Sequence, residues 1–124
     1  MAQKRILLVD DSTVALTMEE MILKNRTSYE VLTARDGSEA VEKARTEHPD
    51  LILMDICMPR MNGYEACEAL RKQQETKQIP IILLTTRGEQ ENVETGFASG
   101  CNDYITKPIN GPELVSLLKN YLGD

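Results

Sequence analysis

Side chains with useful chemistry stand where short apolar runs of this 124-residue chain end. Continuous apolar runs of four or five residues are typical of strands that are covered on both faces, as in a parallel sheet. The carboxyl ends of parallel strands meet at one edge of the sheet, and this edge is where open α/β sheets place their chemistry. The apolar runs end at Asp10 and Asp11, Asp55 and Thr85, and Lys107 follows a shorter, more polar predicted strand.

These residue types together suit a phosphoryl group held beside a divalent cation. Three carboxylates in one crevice repel one another, and Mg²⁺ removes the conflict because it prefers one or two carboxylates, water and phosphate oxygens. Asp55, at the end of the central strand, can act as a nucleophile that forms an acyl phosphate. Lys107 can contact a phosphoryl oxygen, and Thr85 supplies a hydroxyl donor. Each residue taken alone also has a structural interpretation: Asp55 or Thr85 as a cap of its strand end, and Lys107 as the ion-pair partner of an acid.

The elements that must position these residues alternate strand and helix five times. This alternation predicts an α/β fold, a doubly wound five-stranded parallel sheet in the order 2-1-3-4-5, formed by residues 1–124 as one domain. The second strand is more polar and is expected at an edge. The predicted strands are Arg5–Val9, Tyr29–Ala34, Leu51–Asp55, Ile81–Leu84 and Asp103–Thr106.

Local signals place the helices between these strands. Ser12 is expected to cap the first helix, whose apolar stripe is predicted to pack into the core. The segment 90–99 is predicted to be the least stable helix because glycines surround and interrupt it, with Phe97 pointing inward. Asn110 and Glu113 have the spacing of a capping box before the last helix. The stripe assigned to the first helix is Val14, Met18, Met21 and Ile22.

Composition excludes several classes of function. Apolar residues make up 41% of the chain and charged residues 27%, which is typical of a globular protein. The net charge of −6 argues against direct nucleic-acid binding, because no excess of Lys and Arg can displace counterions. There is no apolar run long enough for a membrane span. Three cysteines without a CxxC pair argue against a disulfide framework or zinc site, and indicate a cytoplasmic protein.

Four stretches of the chain resemble the receiver domain of two-component response regulators, of the chemotaxis-regulator kind. Each stretch is weak alone, but their order and spacing are specific, and the resemblance extends from about Arg5 to Leu122. The family fold is flavodoxin-like, with five strand–helix repeats. The four stretches are Leu8-Val9-Asp10-Asp11-Ser12, Asp55 with Met58-Pro59-Arg60-Met61-Asn62-Gly63, Leu84-Thr85, and Asp103-Tyr104-Ile105-Thr106-Lys107-Pro108.

The resemblance implies a role for each site residue. Asp55 is implied as the acceptor of a phosphoryl group from the phosphohistidine of a sensor kinase. Thr85 and Tyr104 would form the switch, the hydroxyl following the phosphoryl group and the ring turning inward. Lys107 would contact the phosphate, with a cis peptide bond before Pro108. The implied Mg²⁺ ligands are Asp10, Asp11, Asp55 and the backbone carbonyl of Cys57.

Signalling would then be a phosphorylation-dependent change in a partner-binding surface, and not turnover of an external substrate. The chain would assist only its own phosphorylation and dephosphorylation. The expected partner face combines the predicted helix 90–99, the fifth strand and the last helix. Two alternatives stay open: a Mg²⁺-dependent phosphohydrolase that works through an aspartyl phosphate, and a scaffold that binds partners without phosphorylation. A nucleotide-binding site is disfavoured, because no glycine-rich loop follows the first strand.

Overall fold

A computed structural model describes residues 3–86 and 97–123 of the chain. Its five strands are all parallel and pair in the order β2-β1-β3-β4-β5, which confirms the predicted order and the polar second strand at an edge. The predicted helix over 90–99 lies mostly outside the described residues. The elements are β1 Arg5–Val9, α1 Thr13–Arg26, β2 Glu30–Ala34, α2 Gly37–Glu47, β3 Leu51–Asp55, α3 Gly63–Lys72, β4 Ile81–Thr86, β5 Asp103–Lys107 and α4 Gly111–Leu122.

The sheet divides the core into two layers. Successive side chains of a strand point to opposite faces, so a continuous apolar run fills both layers at once. One layer packs with α2 and α3 and contains Leu7, Val9, Ile52, Met54, Ile81 and Leu83. The other packs with α1 and α4 and contains Ile6, Leu8, Leu51, Leu53, Ile82 and Leu84. Burial on both faces makes β1, β3 and β4 the rigid base from which the loops at their carboxyl ends project.

A polar side chain starts each helix that begins near this edge of the sheet. Ser12, Asp36, Asn62 and Asn110 each accept a hydrogen bond from a backbone N–H in the first turn of the following helix. The predictions of Ser12 and Asn110 as caps are therefore confirmed. A cap of this kind is worth about 1 kcal/mol, and here it also fixes how each loop leaves the sheet.

The predicted inner face of α1 is wrong. Val14, Met18 and Met21 are 70%, 60% and 56% exposed, and Ile22 is half-buried. The buried residues of the helix are Leu16, Glu19 and Leu23. At 100° per residue these lie on the side opposite the methionines. Both sides of α1 carry apolar residues, so periodicity alone could not choose between them.

The prediction that Phe97 points inward is also wrong. Its side chain is 47% exposed, and its ring meets Tyr104 edge-on with a centroid separation of 6.0 Å. Tyr104 belongs to β5, the strand at the open edge of the sheet, so the contact lies at the margin of the core.

Among the described residues, no helix is long and apolar enough to cross a bilayer.

Candidate functional site

The strand register brings three carboxylates to one point of the sheet edge. Val9 of β1 lies opposite Met54 of β3, so the residues that follow them, Asp10 and Asp55, lie side by side. Asp11 follows directly, and one carboxylate oxygen from each of the three acids lies within 4.8 Å of the others. Such a separation allows all three to share one cation.

The three acids differ in their access to solvent. Asp10 and Asp55 are 1% and 7% exposed, whereas Asp11 is exposed. Asp10 accepts a hydrogen bond of 2.9 Å from the backbone N–H of Ser12. The backbone N–H groups of Cys57 and Ile56 bond to the Asp55 carboxylate. The cluster therefore has two acids fixed by the backbone and one that faces water.

Lys107 closes the other side of the cluster. Its Nζ lies 3.2 Å from Asp10 Oδ2 and 3.6 Å from Asp55 Oδ1. Burial tends to lower the pKa of Lys107, but Asp55 and Asp10 more than offset this and raise the pKa above its ordinary value. The lysine is thus a charged ammonium shared by two buried carboxylates, as expected for an ion pair with the acids of the sheet edge.

The electrostatics of Asp55 favour a bound cation. Burial and the neighbouring Asp10 raise the pKa of Asp55, while Lys107 and the backbone N–H groups act in the opposite direction. One ammonium does not balance three carboxylates that lie this close together. A divalent cation would remove the remaining repulsion and keep Asp55 ionised, which a nucleophilic carboxylate requires.

Thr85 and Cys57 lie at the same edge, whereas Tyr104 lies three residues before the end of β5. Leu84 lies opposite Asp55, so Thr85 continues β4 at the carboxyl end beside it, and its side chain is buried. Tyr104 is half-buried in β5, opposite Leu83. Cys57 lies two residues beyond Asp55 with an exposed side chain. The peptide bond between Lys107 and Pro108 is cis, as the family resemblance implied.

Sequence patterns did not reveal the part that Gly63 plays in the site. A Cβ atom at Gly63 would lie 2.6 Å from the carbonyl oxygen of Asp55 and 2.8 Å from Cα of Ile56. The Gly63 N–H also donates to the carbonyl oxygen of Ile56 at 2.9 Å. The first turn of α3 therefore presses directly on the backbone that carries Asp55, and only a residue without a side chain fits there.

Glu19 is the second residue that the sequence patterns did not single out. It is 2% exposed, and its Oε1 atom has no hydrogen-bond partner among the described residues. Burial, with smaller contributions from Asp10 and Asp55 and an opposing one from Lys107, raises the pKa of Glu19 to about 8. Its spacing from Leu16 and Leu23 is the sequence signal that could have placed it on the buried side of α1.

Glu19 should make the stability of the protein depend on pH. Its pKa is about 8 in the folded chain, against an ordinary value of 4.5, so folding favours the protonated form. In chelator-treated protein, the free energy of unfolding should therefore fall as the pH rises from about 5.5 to about 8, by on the order of 1 kcal/mol per pH unit. The variant Glu19→Gln should lose this component.

Denaturant titrations of wild type and Glu19→Gln at several pH values would measure the effect. Groups whose protonation does not depend on Glu19 contribute equally in both proteins and therefore cancel in the difference between them. A difference in unfolding free energy that stays constant from pH 5.5 to pH 8 would contradict the raised pKa.

The fold and the acidic cluster define a class of protein that the sequence comparisons establish. The chain belongs to the response regulator receiver domain family, whose model matches residues 6–119. Receiver domains are signalling domains, not enzymes in the ordinary sense: they take phosphoryl groups from histidine kinases and act on downstream partners.

Individual relatives support this membership. The polar-differentiation response regulator DivK of Brucella ovis is 36% identical over 124 residues, which cover 98% of each chain. The alkaline phosphatase synthesis transcriptional regulatory protein PhoP of Bacillus subtilis is 40% identical over 119 residues, 96% of this chain but 48% of that protein. The chain thus spans about half the length of one relative and nearly all of the other.

Solved structures agree in fold. A putative response regulator from Chloroflexus aurantiacus superposes with a TM-score of 0.93 at 35% identity, covering 99% of this chain and 100% of that one. The receiver domain of the sensor histidine kinase PA1611 from Pseudomonas aeruginosa has a TM-score of 0.90 at 36% identity, with the same coverage. That structure contains a magnesium ion coordinated in its active-site cleft.

Proposed function

We propose that this chain is a phosphorylation-dependent switch of a two-component phosphorelay, with Asp55 as the residue that accepts the phosphoryl group. The observation that carries the proposal is the ammonium of Lys107, which contacts Asp10 at 3.2 Å and Asp55 at 3.6 Å. A lysine in this position reaches both the acceptor and the acid cluster beside it. The donor would be a phosphohistidine of a histidine kinase.

The residues present suit Mg²⁺. This ion takes one or two carboxylates, keeps several waters and shares phosphate oxygens with the substrate. Asp10, Asp11 and Asp55 lie within 4.8 Å of one another, with the exposed Asp11 open to water. We assign these three carboxylates and the backbone carbonyl of Cys57 as the ligands. When bound, the ion would offset negative charge on the phosphoryl oxygens and on the acids.

The transfer itself asks little covalent chemistry of the protein. An oxygen of the ionised Asp55 attacks phosphorus, the bond from phosphorus to the histidine nitrogen breaks, and the imidazole leaves with that electron pair. The product is an acyl phosphate on Asp55. Lys107 compensates charge on the equatorial oxygens, so catalysis is mostly positioning and electrostatics. Hydrolysis of the acyl phosphate by water would return the chain to its resting form.

Intact-mass spectrometry after incubation with Mg²⁺ and acetyl phosphate would test the proposal. We expect the mass of one phosphoryl group to appear on each chain, and to appear far less when a chelator removes the ion. A phosphohydrolase would instead turn over generic phosphate esters many times per chain. A scaffold that works without phosphorylation would gain no mass, and either of these two results would overturn the proposal.

The signal would leave the site through Thr85 and Tyr104. We propose that the Thr85 hydroxyl moves toward the phosphoryl group and that the Tyr104 ring turns into the space beside β4. A change from about 1% to 99% active needs roughly 5.5 kcal/mol, which is large for one hydroxyl contact. Phosphorylation alone should therefore shift the equilibrium partly, and partner binding should complete the shift.

The proposed partner face is formed by the predicted helix 90–99, β5 and α4. In its described part, a groove of about 570 Å³ runs between β5 and α4, with Asp103, Tyr104, Glu113 and Ser116 among its lining residues. Its acids favour a basic protein partner and disfavour nucleic acid.

We further propose that residues 1–124 act as one receiver domain in the cytoplasm.

Thr85→Ala should separate phosphorylation from switching. The variant should still gain the phosphoryl group, because Thr85 is not the acceptor, but the response of Tyr104 should shrink. Aromatic NMR would follow the Tyr104 ring resonances before and after phosphorylation, and we expect at least about a tenfold smaller shift in the population of the active state. Thr106→Ala, the exposed residue opposite Thr85 in the sheet register, is the matched control. A full Tyr104 response in Thr85→Ala would show that the coupling takes another route.

A further inference from the structure

Glu19 is a buried acid to which the proposed phosphoryl transfer assigns no task. The residue is 2% exposed, and one of its carboxyl oxygens, Oε1, has no hydrogen-bond partner among the described residues. Burying a polar group without a partner is unfavourable, and an apolar residue between Leu16 and Leu23 would avoid that penalty. The presence of a carboxyl group here indicates that a hydrogen-bond donor contacts it in another state of the site.

A cavity connects Glu19 with the site. It has a volume of about 170 Å³ and lies between α1 and the chain that leaves β5. Ala15, Met18 and Ile22 form its wall on α1, and Pro108 lies on the opposite wall. Glu19 and Lys107 are the ionisable residues of its lining. Lys107 and Glu19, whose Oε1 atom is unpaired, thus border the same open space.

Lys107 needs a new partner once a cation enters the site. In the structure its ammonium is shared between Asp10 at 3.2 Å and Asp55 at 3.6 Å. The proposed cation would take oxygens of these same two residues. The Asp10 carboxylate cannot bind a divalent cation and the Lys107 ammonium together without repulsion between the two positive charges. The ammonium must therefore move. The four-carbon side chain of lysine has several rotatable bonds with which to do so.

We propose that Glu19 is a positioning residue for Lys107, and that it receives the ammonium when a divalent cation takes the oxygens of Asp10. The inference rests on the proposed function, because it requires Asp10 to be a cation ligand. Glu19 would keep Lys107 inside the cleft, within reach of a phosphoryl group on Asp55. Without Glu19, the displaced ammonium would turn to solvent.

The charges around Glu19 support this move of the Lys107 ammonium from Asp10 to Glu19. Asp10 at the end of β1 and Asp55 at the end of β3 add to the effect of burial in raising its pKa, and Lys107 at the end of β5 acts in the opposite direction. A cation that neutralises the two aspartates would remove two of the causes that keep Glu19 protonated. Glu19 would therefore become a better anion in the state in which Lys107 needs one.

NMR of the Lys107 ammonium would test the inference. In protein with ¹⁵N-labelled lysine side chains, hydrogen exchange of the Lys107 ammonium with water would be measured in chelator and in Mg²⁺, for wild type and Glu19→Gln. In chelator both proteins should be alike, because Asp10 and Asp55 hold the ammonium. In Mg²⁺ the exchange should stay slow in wild type and become about tenfold faster in Glu19→Gln, the effect of losing one charge-assisted hydrogen bond.

Two further variants exclude simpler explanations. Glu20→Gln makes the same change from carboxyl to amide at the next residue of α1, which is half-buried, and its Lys107 ammonium should exchange at the wild-type rate in both conditions. Glu19→Met keeps the length of the side chain without polar atoms, and should match Glu19→Gln. If Glu19→Gln alters exchange equally with and without Mg²⁺, Glu19 has only a structural role and the inference is wrong.

The outcomes also separate this inference from the proposed function. If Mg²⁺ leaves the backbone resonances of Asp10, Asp11 and Asp55 unchanged, the assigned cation site is wrong. The proposed move of the Lys107 ammonium to Glu19 is then wrong as well. If those resonances respond but Lys107 exchanges equally slowly in wild type and Glu19→Gln, the cation site stands and the role of Glu19 is overturned.

Discussion

Asp55→Asn should remove the ability of the chain to gain a phosphoryl group. An amide has no anionic oxygen to attack phosphorus, whereas the shape of the side chain is preserved. With Mg²⁺ and acetyl phosphate, we expect the variant to be modified at least about 100-fold more slowly than wild type, an effect of the size seen when a nucleophile is removed. Intact-mass spectrometry over a time course would measure both rates.

Asp36→Asn is the matched control for this substitution. Asp36 caps α2, a function that Asn fulfils equally well, and its carboxylate pairs with Arg60 at 3.1 Å, outside the acidic cluster. This variant should be phosphorylated at the wild-type rate. Equal rates in Asp55→Asn and wild type would show that another residue is the acceptor.

Gly63→Ala should destabilise the protein strongly, although it adds only one methyl group. The added Cβ would lie 2.6 Å from the carbonyl oxygen of Asp55 and 2.8 Å from Cα of Ile56, both backbone atoms that cannot rotate away. Overpacking against backbone typically costs about 2–3 kcal/mol in unfolding free energy. Because the strain falls on Asp55 itself, Mg²⁺ affinity should fall as well. Denaturant unfolding and Mg²⁺ titration would measure the two effects.

Gly111→Ala separates this clash from the general effect of alanine in a helix. Gly111 and Gly63 are both the first residue of a helix that follows an asparagine cap. At Gly111 the nearest atoms to an added Cβ belong to the flexible side chain of Arg26, at 3.1 Å or more. Alanine should therefore be neutral there or stabilise by up to about 1 kcal/mol. Similar losses of stability in both variants would contradict the contact at Gly63.

The strands and their order could be predicted because a buried parallel strand has few alternatives. The unbroken apolar runs before Asp10, Asp55 and Thr85 indicated strands covered on both faces, and alternation with helices then left few topologies. Helix starts were also readable, since a cap such as Ser12 acts on its own first turn. The close approach of the acids followed from the fold without knowledge of any side-chain position.

The features that were wrong or missed depend on contacts between elements. α1 has apolar residues on two sides, and which side is buried depends on how it packs on the sheet. The methionines were therefore assigned inward, and Glu19 went unnoticed between Leu16 and Leu23. Position 63 requires glycine because the backbone of Asp55 and Ile56 packs against it. Sequence spacing alone does not predict that these residues contact α3. The sharing of Lys107 between two aspartates likewise needed coordinates.

The central claim is that a phosphoryl group is accepted at Asp55 and nowhere else in the acidic cluster. Borohydride reduces an aspartyl phosphate to homoserine, so treating the Mg²⁺- and acetyl phosphate-incubated chain with borohydride would mark the acceptor for peptide sequencing by mass spectrometry. The account predicts homoserine at position 55 alone. Homoserine at position 10 or 11, or no conversion of any aspartate in a chain that has gained the phosphoryl mass, would contradict it.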